Sequence, residues 1–129
     1  MDDFKEILDE IKDTEDTTAL YDKSDVEKNR FMAILAYLSW LVIIPIIAAK
    51  DSPFARFHAN QGLILTIAGT VCGAVIKFLV KFPLVGWIFS LAGKLLGLVW
   101  LILAIMGIVN VVNGRARELP LIGRFQLLK

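Results

Sequence analysis

The sequence predicts an all-α integral membrane protein: a helical bundle of three transmembrane helices, the second and third an antiparallel hairpin, plus a short N-terminal amphipathic helix. Composition is the first observation. Hydrophobic residues make up 57% of the 129-residue chain, and the mean hydropathy is +0.66, too apolar for an ordinary soluble domain of this size. Charge placement is the second observation. Residues 1–30 contain eleven acidic and five basic side chains, whereas residues 31–129 contain two acidic and nine basic ones, so an acidic tail precedes a basic membrane body.

Residues 1–23 are predicted to form the acidic amphipathic helix and a linker. Apolar residues recur at helical spacing between Phe4 and Ile11, which places them on one face of a helix. Residues 14–23 are poor in helix formers and carry no apolar period, as is typical of a linker. Because the outer face of the helix is acidic, we expect it to contact a protein partner or the chain's own basic loops.

Residues 24–114 form the predicted three-helix transmembrane domain. Ser24 and Glu27 have the spacing of a capping box, and the following run from residue 31 to residue 49 contains ten Leu, Ile, Val or Phe residues. Such a run gains about 3 to 6 kcal/mol on insertion into a bilayer. It is therefore predicted to be the first span, kinked near its end by Pro45.

The second helix is predicted to begin at Ser52 and Pro53, an N-cap residue followed by proline at the first helical position. It should run to about Val80. Its first turns are polar, its middle is apolar, and Lys77 and Lys81 near its end can extend into the headgroup layer.

The third helix is predicted to begin at Pro83 and to end at Asn113 and Gly114, a helix C-cap pair. Lys94 is the only charged residue inside it. A lysine at the bilayer centre costs about 2.5 to 3.5 kcal/mol, so Lys94 should lie near one interface. The basic C-terminal tail, residues 115–129, is expected to lie along the membrane surface.

Small residues form a stripe on each of the last two helices. Each stripe contains one Gly-xxx-Gly step, which lets two helix backbones approach closely where lipid supplies no hydrophobic drive. We expect the two stripes to be in contact within the hairpin, although glycine is common in membrane helices for other reasons. The glycines concerned are Gly62, Gly69 and Gly73 on the second helix and Gly86, Gly93 and Gly97 on the third.

Folding the hairpin brings the start of the second helix level with the end of the third, which predicts a polar and basic cluster at one interface. One interpretation is a binding site for a lipid phosphate or for an acidic segment of a protein partner. The other is a hydrogen-bond network that only orients the helices, and this is the favoured one. The cluster comprises Arg56, His58, Asn60, Gln61, Asn110, Asn113, Arg115 and Arg117.

The residues contain no pattern that predicts catalysis. His58 is the only histidine and Cys72 the only cysteine; they lie about four helical turns apart, so they cannot act as a base and nucleophile pair. We expect Cys72 to be a small buried packing residue. We predict no metal site, no cofactor, no nucleic-acid partner and no small-molecule substrate.

The segment from Ser52 to Gly62, SPFARFHANQG, resembles a signature of small bacterial membrane proteins of unknown function. Those proteins are related to the chloroplast inner-envelope protein-import channel (Tic-type) component. The ending Asn113-Gly114 followed by residues 119–123, LPLIG, is similar to the close of the same family. The resemblance implies a compact helical membrane domain, and its plastid relatives are implicated in protein translocation.

Two functional hypotheses follow. The first is a non-enzymatic accessory or interaction protein of the bacterial cell membrane that contacts membrane lipids and a protein partner or a second copy; a bacteriocin-immunity role is a narrower form of it. The second is a subunit of a transport or protein-translocation channel. Three spans would place the termini on opposite faces and divide the basic residues almost evenly between the two faces, which leaves the orientation open.

Overall fold

The structure, a computed structural model, describes residues 16–128. This part of the chain is helical and contains no β-strand, which confirms the all-α class for the residues it covers; the predicted amphipathic helix lies outside them, at residues 1–15. Two 3₁₀ turns, Thr18–Leu20 and Ser39–Val42, accompany five helices. The helices are α1 (Lys23–Lys28), α2 (Arg30–Leu35), α3 (Ile43–Ala48), α4 (Pro53–Leu79) and α5 (Gly86–Val112).

Helices α4 and α5 are both long and apolar enough to cross a membrane. Each contains 27 residues, which corresponds to a length of about 40 Å against about 30 Å of hydrocarbon. The predicted start of α4 is confirmed, since the Ser52 side chain accepts a hydrogen bond from the Ala55 amide at 3.1 Å and Pro53 is the first helical residue.

The two long helices pack against each other as an antiparallel hairpin. The indole Nε1 of Trp100 donates a hydrogen bond to the Leu65 carbonyl oxygen at 3.1 Å, and Gly93 faces Ile76, so early positions of α4 meet late positions of α5. Residues 80–85 make the turn, which we call the tip. Helix α5 begins at Gly86, later than the predicted Pro83, and its C-cap is Asn113.

Residues 31–49 do not form the one continuous helix that was predicted for the first span. Two six-residue helices, α2 and α3, occupy this run and are separated by the turn Ser39–Val42. Six helical residues extend only about 9 Å, too little to cross a bilayer. The described residues therefore contain two candidate membrane spans where three were expected.

Backbone geometry and tertiary contacts explain why this apolar run bends. Ser39 has φ +59°, a left-handed conformation that a continuous right-handed helix does not contain. Its carbonyl oxygen accepts a hydrogen bond from the Thr66 hydroxyl of α4 at 3.0 Å. Pro45 has no N–H to extend a helix from the preceding turn. The insertion free energy of residues 31–49 is a sum over residue types. Such a sum is the same for a bent segment and for a straight helix.

The buried residues gather at one end of the hairpin. Helices α1–α3 and residues 113–128 surround the first half of α4 and the last third of α5, and we call this assembly, residues 16–66 and 103–128, the base. Most side chains between residues 67 and 102 are exposed. The core of the base includes Ala33, Tyr37, Val42, Phe54, Ala59, Leu65, Ala104, Val111 and Leu119.

Two local predictions differ from the structure. The N-cap of α1 is Asp22, whose carboxylate accepts a hydrogen bond from the Ser24 amide at 3.2 Å, so Ser24 lies inside the helix that it was expected to cap. Cys72 is exposed on α4 instead of buried. Cys72 borders the groove between the two long helices, and within residues 16–128 no other element covers it.

A candidate interface at the base of the hairpin

His58 lies at the centre of the base and is fully buried. Its Nε2 is 2.8 Å from the carbonyl oxygen of Arg115, and because a carbonyl only accepts, Nε2 carries the proton. Its Nδ1 therefore accepts the hydrogen bond from the Tyr37 hydroxyl, at 2.6 Å. The rings of Phe54 and Phe57 meet the imidazole edge-on. Both ring nitrogens are thus satisfied within the protein.

Tyr37 reaches His58 across the surface of α5. Its side chain is buried and lies directly over Gly107, where an added Cβ would come within 2.2 Å of the tyrosine ring. A larger residue at position 107 would displace the ring and break the contact with His58. Neither Tyr37 nor Gly107 was among the predicted site residues, because their pairing depends on the bend at residues 36–39.

Gln61 fastens the C-terminal tail to α4. Its Nε2 donates to the Gly123 carbonyl oxygen at 2.7 Å, and its Oε1 accepts from the Leu119 amide at 2.8 Å. Gly123 has no room for a side chain, since an added Cβ would lie 2.5 Å from backbone atoms of Leu119 and 2.7 Å from Oε1 of Gln61. One amide side chain therefore holds both ends of a tight turn.

Asn60 also bonds main-chain atoms of the C-terminal tail, at positions beyond those bonded by Gln61. Its Nδ2 donates to the Phe125 carbonyl oxygen at 2.8 Å, while its Oδ1 accepts from the amides of Leu127 at 2.6 Å and Leu128 at 3.0 Å. Together with His58 and Gln61, this side chain recognises the tail only through main-chain atoms. We call the three side chains His58, Asn60 and Gln61 the clasp.

The two predicted halves of the cluster meet where His58 Nε2 contacts the Arg115 carbonyl oxygen, and further contacts lie within the second half. Asn110 Nδ2 donates to the Arg117 carbonyl oxygen at 3.4 Å, and the Asn110 carbonyl accepts from the Arg115 amide at 2.8 Å. Asn113 is the C-cap of α5, and Arg56 lies two residues before His58, on the same helix. Gly114 completes the turn with φ +69°, a conformation that favours glycine.

The N-terminal residues of the described chain pair with the same tail. Asp16 and Arg117 form an isolated β-bridge, and the Thr17 amide donates to the Ala116 carbonyl oxygen at 3.0 Å. Hydrogen bonds from the hydroxyl and amide of Thr18 hold the pKa of the Asp16 carboxyl below its usual value. The described part of the expected linker is therefore fixed against the base.

Asp25 is a further structural residue that the sequence did not indicate. One carboxylate oxygen accepts from the Phe54 amide at 2.9 Å, and the other from the Ser52 hydroxyl at 2.5 Å and Asn29 Nδ2 at 2.8 Å. The carboxylate thus sits at the N-terminus of α4, where a negative charge is favourable. Capping across 29 residues leaves no local pattern to detect.

The glycine stripes meet side chains, and not each other's backbones. A Cβ added at Gly69 would lie 2.7 Å from Nε1 of Trp100, and one added at Gly93 would lie 2.8 Å from a methyl group of Ile76. Each of these two glycines makes room for a large side chain from the other helix. The helices are therefore spaced by Trp100 and Ile76.

The remaining predicted glycines divide into two kinds. At Gly62, an added Cβ would lie 1.7 Å from the Ala36 carbonyl oxygen, so this glycine admits the end of α2 rather than α5. Gly86 similarly lies against the Val80 carbonyl in the tip turn. Gly73 and Gly97, in contrast, have no atom within 4 Å of an added Cβ.

Gly73 and Gly97 border a groove of about 570 Å³ between the exposed halves of α4 and α5. Ser39 closes the end of the groove nearest the base. Lys77 and Lys94 line its walls. Lys94 therefore has open space beside it within the hairpin.

Candidate metal ligands do not cluster in the part of the chain that the structure describes. Among residues 16–128, no three histidine, cysteine or acidic side chains form a group that could hold a metal ion. The polar atoms of the clasp bond to main-chain atoms of the tail, except for His58 Nδ1, which accepts from the Tyr37 hydroxyl. Arg115 and Arg124 are exposed on the outer surface of the base.

The family profile described as the magnetosome magnetite crystal formation protein family, MamF/MmsF, matches residues 28–126. Three curated proteins are similar to the chain. Magnetosome protein MmsF of Paramagnetospirillum magneticum is 38% identical over 92 residues, covering 70% of this chain and 78% of its own length. Magnetosome protein MamF of the same organism is 32% identical over 102 residues, covering 78% of this chain and 85% of its own length. Magnetosome protein MamF of Magnetospirillum gryphiswaldense is 31% identical over 96 residues, covering 74% of this chain and 79% of its own length. No solved structure matches the chain.

These findings overturn the resemblance to the chloroplast import component. Both segments that suggested it, Ser52 to Gly62 and Asn113 to Gly123, lie inside the region matched by the magnetosome family. No comparison connects the chain to protein import. The resemblance therefore assigned the chain to the wrong family.

Proposed function

Because the chain belongs to the magnetosome magnetite crystal formation protein family, we propose that it is a non-enzymatic component of the magnetosome membrane that assists magnetite crystal formation. The curated relatives are named as magnetosome proteins, and two helices of this chain are long and apolar enough to lie in a membrane. The proposed membrane is therefore that of the magnetosome, which replaces the earlier expectation of the bacterial cell membrane.

The observation that carries the proposal is the division of the molecule into an apolar hairpin and a polar base. Large apolar side chains such as Val71, Phe78 and Leu98 are more than half exposed along the hairpin, which suits contact with lipid. The polar side chains of the base are used to hold its own backbone. This arrangement suits a membrane-held scaffold, since both ring nitrogens of the buried His58 are bonded within the base.

The outer surface of the base is the proposed contact region. Arg115 and Arg124 are exposed at its rim, and guanidinium groups bind phosphate and carboxylate oxygens in pairs. We therefore assign the rim, together with Arg56, Asn113 and Arg117, to lipid phosphates or to acidic segments of another magnetosome protein. Asn110, His58, Asn60 and Gln61 then support the rim from inside.

A complementation experiment tests this function. The chain would replace MmsF in Paramagnetospirillum magneticum, and crystal size and shape would be measured by electron microscopy against a strain lacking both proteins. We expect the chain to purify with magnetosomes and to move the crystals toward those of the parent strain. Localisation to magnetosomes without any effect on the crystals would contradict the proposed role.

Two variants sharpen the comparison. Gly62→Ala should fail to complement, because its new methyl group would collide with the Ala36 carbonyl and disrupt the base. Gly73→Ala, made on the same helix where the space is open, should complement as well as the parent chain. Equal complementation by both variants would show that the effect on crystals does not require the folded base.

A transport role is the second candidate, and the groove between Gly73 and Gly97 favours it. Polar and cationic side chains, among them Thr70, Ser90 and Lys77, line its walls, which is unusual for a surface exposed only to lipid. Vesicles reconstituted with the chain should then leak ions or peptides, and Gly97→Leu should reduce the leak. Vesicles that stay tight would remove this candidate.

A further inference from the structure

We infer that the chain crosses the membrane twice, and that residues 30–48 enter and leave the membrane on the base side. The cytoplasmic face then holds α1, the first turns of α4 and residues 113–128, and with them both ends of the described chain, while the tip lies in the opposite headgroup layer. The inference rests on the proposed function only in placing the hairpin in a membrane. It does not require a role in crystal formation.

Contacts along residues 30–48 carry the first step. At one end, the Arg30 guanidinium lies beside Gly114, at the base end of α5. In the middle, the Ser39 carbonyl is bonded to Thr66, which lies more than a turn beyond the clasp along α4. At the other end, the Ser52 hydroxyl returns to Asp25 of α1. The segment therefore descends beside the hairpin, turns and comes back.

The surface of this segment suits lipid on its outer side. Trp40, Ile43 and Ile47 are between 46% and 70% exposed, which water would disfavour. Its two helices are separated by residues 36–42, where the Ser39 carbonyl accepts a hydrogen bond from the Thr66 hydroxyl. Non-helical backbone is tolerated at membrane depth when protein groups satisfy it in this way.

Basic residues determine the orientation once the span count is two. Three spans would divide them almost evenly, but the hairpin gathers eight of the eleven described lysines and arginines in the base and leaves three in its exposed half. Loops rich in lysine and arginine remain on the cytoplasmic face. The eight are Lys23, Lys28, Arg30, Lys50, Arg56, Arg115, Arg117 and Arg124; the three are Lys77, Lys81 and Lys94.

The composition of the tip suits the opposite headgroup layer. Leu84 is 93% exposed and Trp87 69% exposed, and Lys81 and Phe82 lie between them and α4. Aromatic rings and lysines concentrate where hydrocarbon meets headgroups. A mineral on that side would therefore meet apolar side chains and lysines.

Single-cysteine labelling tests the topology. In a Cys72→Ser background, Leu20→Cys, Leu84→Cys and Leu127→Cys each place a thiol at an exposed position, 81%, 93% and 54% accessible in turn. A membrane-impermeant maleimide would be applied to spheroplasts and to inside-out vesicles from cells producing the full chain. We expect positions 20 and 127 to react only in inside-out vesicles, and position 84 only in spheroplasts.

Two results would overturn the inference. Labelling of positions 20 and 127 from opposite faces would mean an odd number of spans, and labelling of both from outside would mean the reverse orientation. Removing an exposed leucine does not remove packing, and membrane fractionation of each variant checks that it inserts like the parent. Labelling does not depend on mineral growth. The proposed topology can therefore be contradicted while the proposed function is supported, and the function can be contradicted while the topology is supported.

Discussion

The buried imidazole of His58 ties three separated parts of the chain together. Tyr37 comes from the bent segment, His58 from α4, and Arg115 from the start of the tail. All these groups are neutral or main-chain, so no buried charge has to be compensated. The chain of hydrogen bonds is complete, from the tyrosine hydroxyl through the ring to a carbonyl.

Tyr37→Phe should destabilise the protein. The phenyl ring keeps its place over Gly107, but Nδ1 of His58 loses its only donor, and an unsatisfied buried acceptor costs about 1–3 kcal/mol. Thermal unfolding in detergent should register a lower Tm. A double-mutant cycle with His58→Leu provides the control: purely additive losses would mean that the two side chains do not interact.

A matched glycine pair on α4 tests the packing at residue scale. Gly62→Ala places a methyl group against a backbone carbonyl that cannot move independently, so its cost should exceed about 3 kcal/mol, the upper range of ordinary overpacking. Gly73→Ala meets open space and should stabilise the helix by up to about 1 kcal/mol. Unfolding in the same detergent compares them, and similar stabilities for the two variants would contradict this packing.

Sequence patterns predicted the polar residues of the base but not their partners. His58, Asn60 and Gln61 stand out because polar side chains are rare at the start of an apolar helix. Their bonds reach main-chain groups of residues 115–128, and any peptide has such groups. No residue type in the tail could therefore identify it as the partner.

At the scale of elements, the sequence predicted the helix boundary that neighbouring residues determine, but not the bend that depends on a residue distant in the chain. Ser52 and Pro53 determined the start of α4 through the conformations that their own backbone favours. The run from residue 31 to residue 49 has the composition of a span, yet its bend depends on Thr66, which follows it in the chain. A continuous apolar stretch carries no information about such a contact.

Truncating the Gln61 side chain should loosen the attachment of the C-terminal tail to α4. Gln61→Ala leaves the Leu119 amide and the Gly123 carbonyl without their partner, at about 1–3 kcal/mol for each group. Limited trypsin digestion in detergent should then cleave after Arg117 or Arg124 much faster than in the parent chain. Thr70→Ala, on the exposed half of the same helix, is the control, and equal cleavage rates would argue against the clasp.

At the scale of the whole molecule, charge and hydropathy separate together. The basic residues that three spans would have divided between two faces are collected mainly around the base. The composition predicted membrane insertion, and only the fold shows which charges share a side.

Added lysines at the tip should disturb the orientation. Leu84→Lys with Val85→Lys raises the tip-side count from three to five, which competes with the eight of the base. We expect a fraction of the chains to invert, measured as labelling of Leu127→Cys in spheroplasts. The control pair Leu84→Glu and Val85→Glu should leave the orientation unchanged, since acidic residues contribute little to it. Inversion by both pairs would exclude a positive-charge mechanism.

The clasp has a consequence for biosynthesis. Its partners follow it by 57 to 68 residues in the chain, so α4 is synthesised and delivered to the insertion machinery before any of them exists. The side chains of His58, Asn60 and Gln61 therefore remain hydrated at the membrane surface while α5 is translated. The base is complete only after residues 115–128 have left the ribosome, so a chain that stops before residue 115 would insert without these partners.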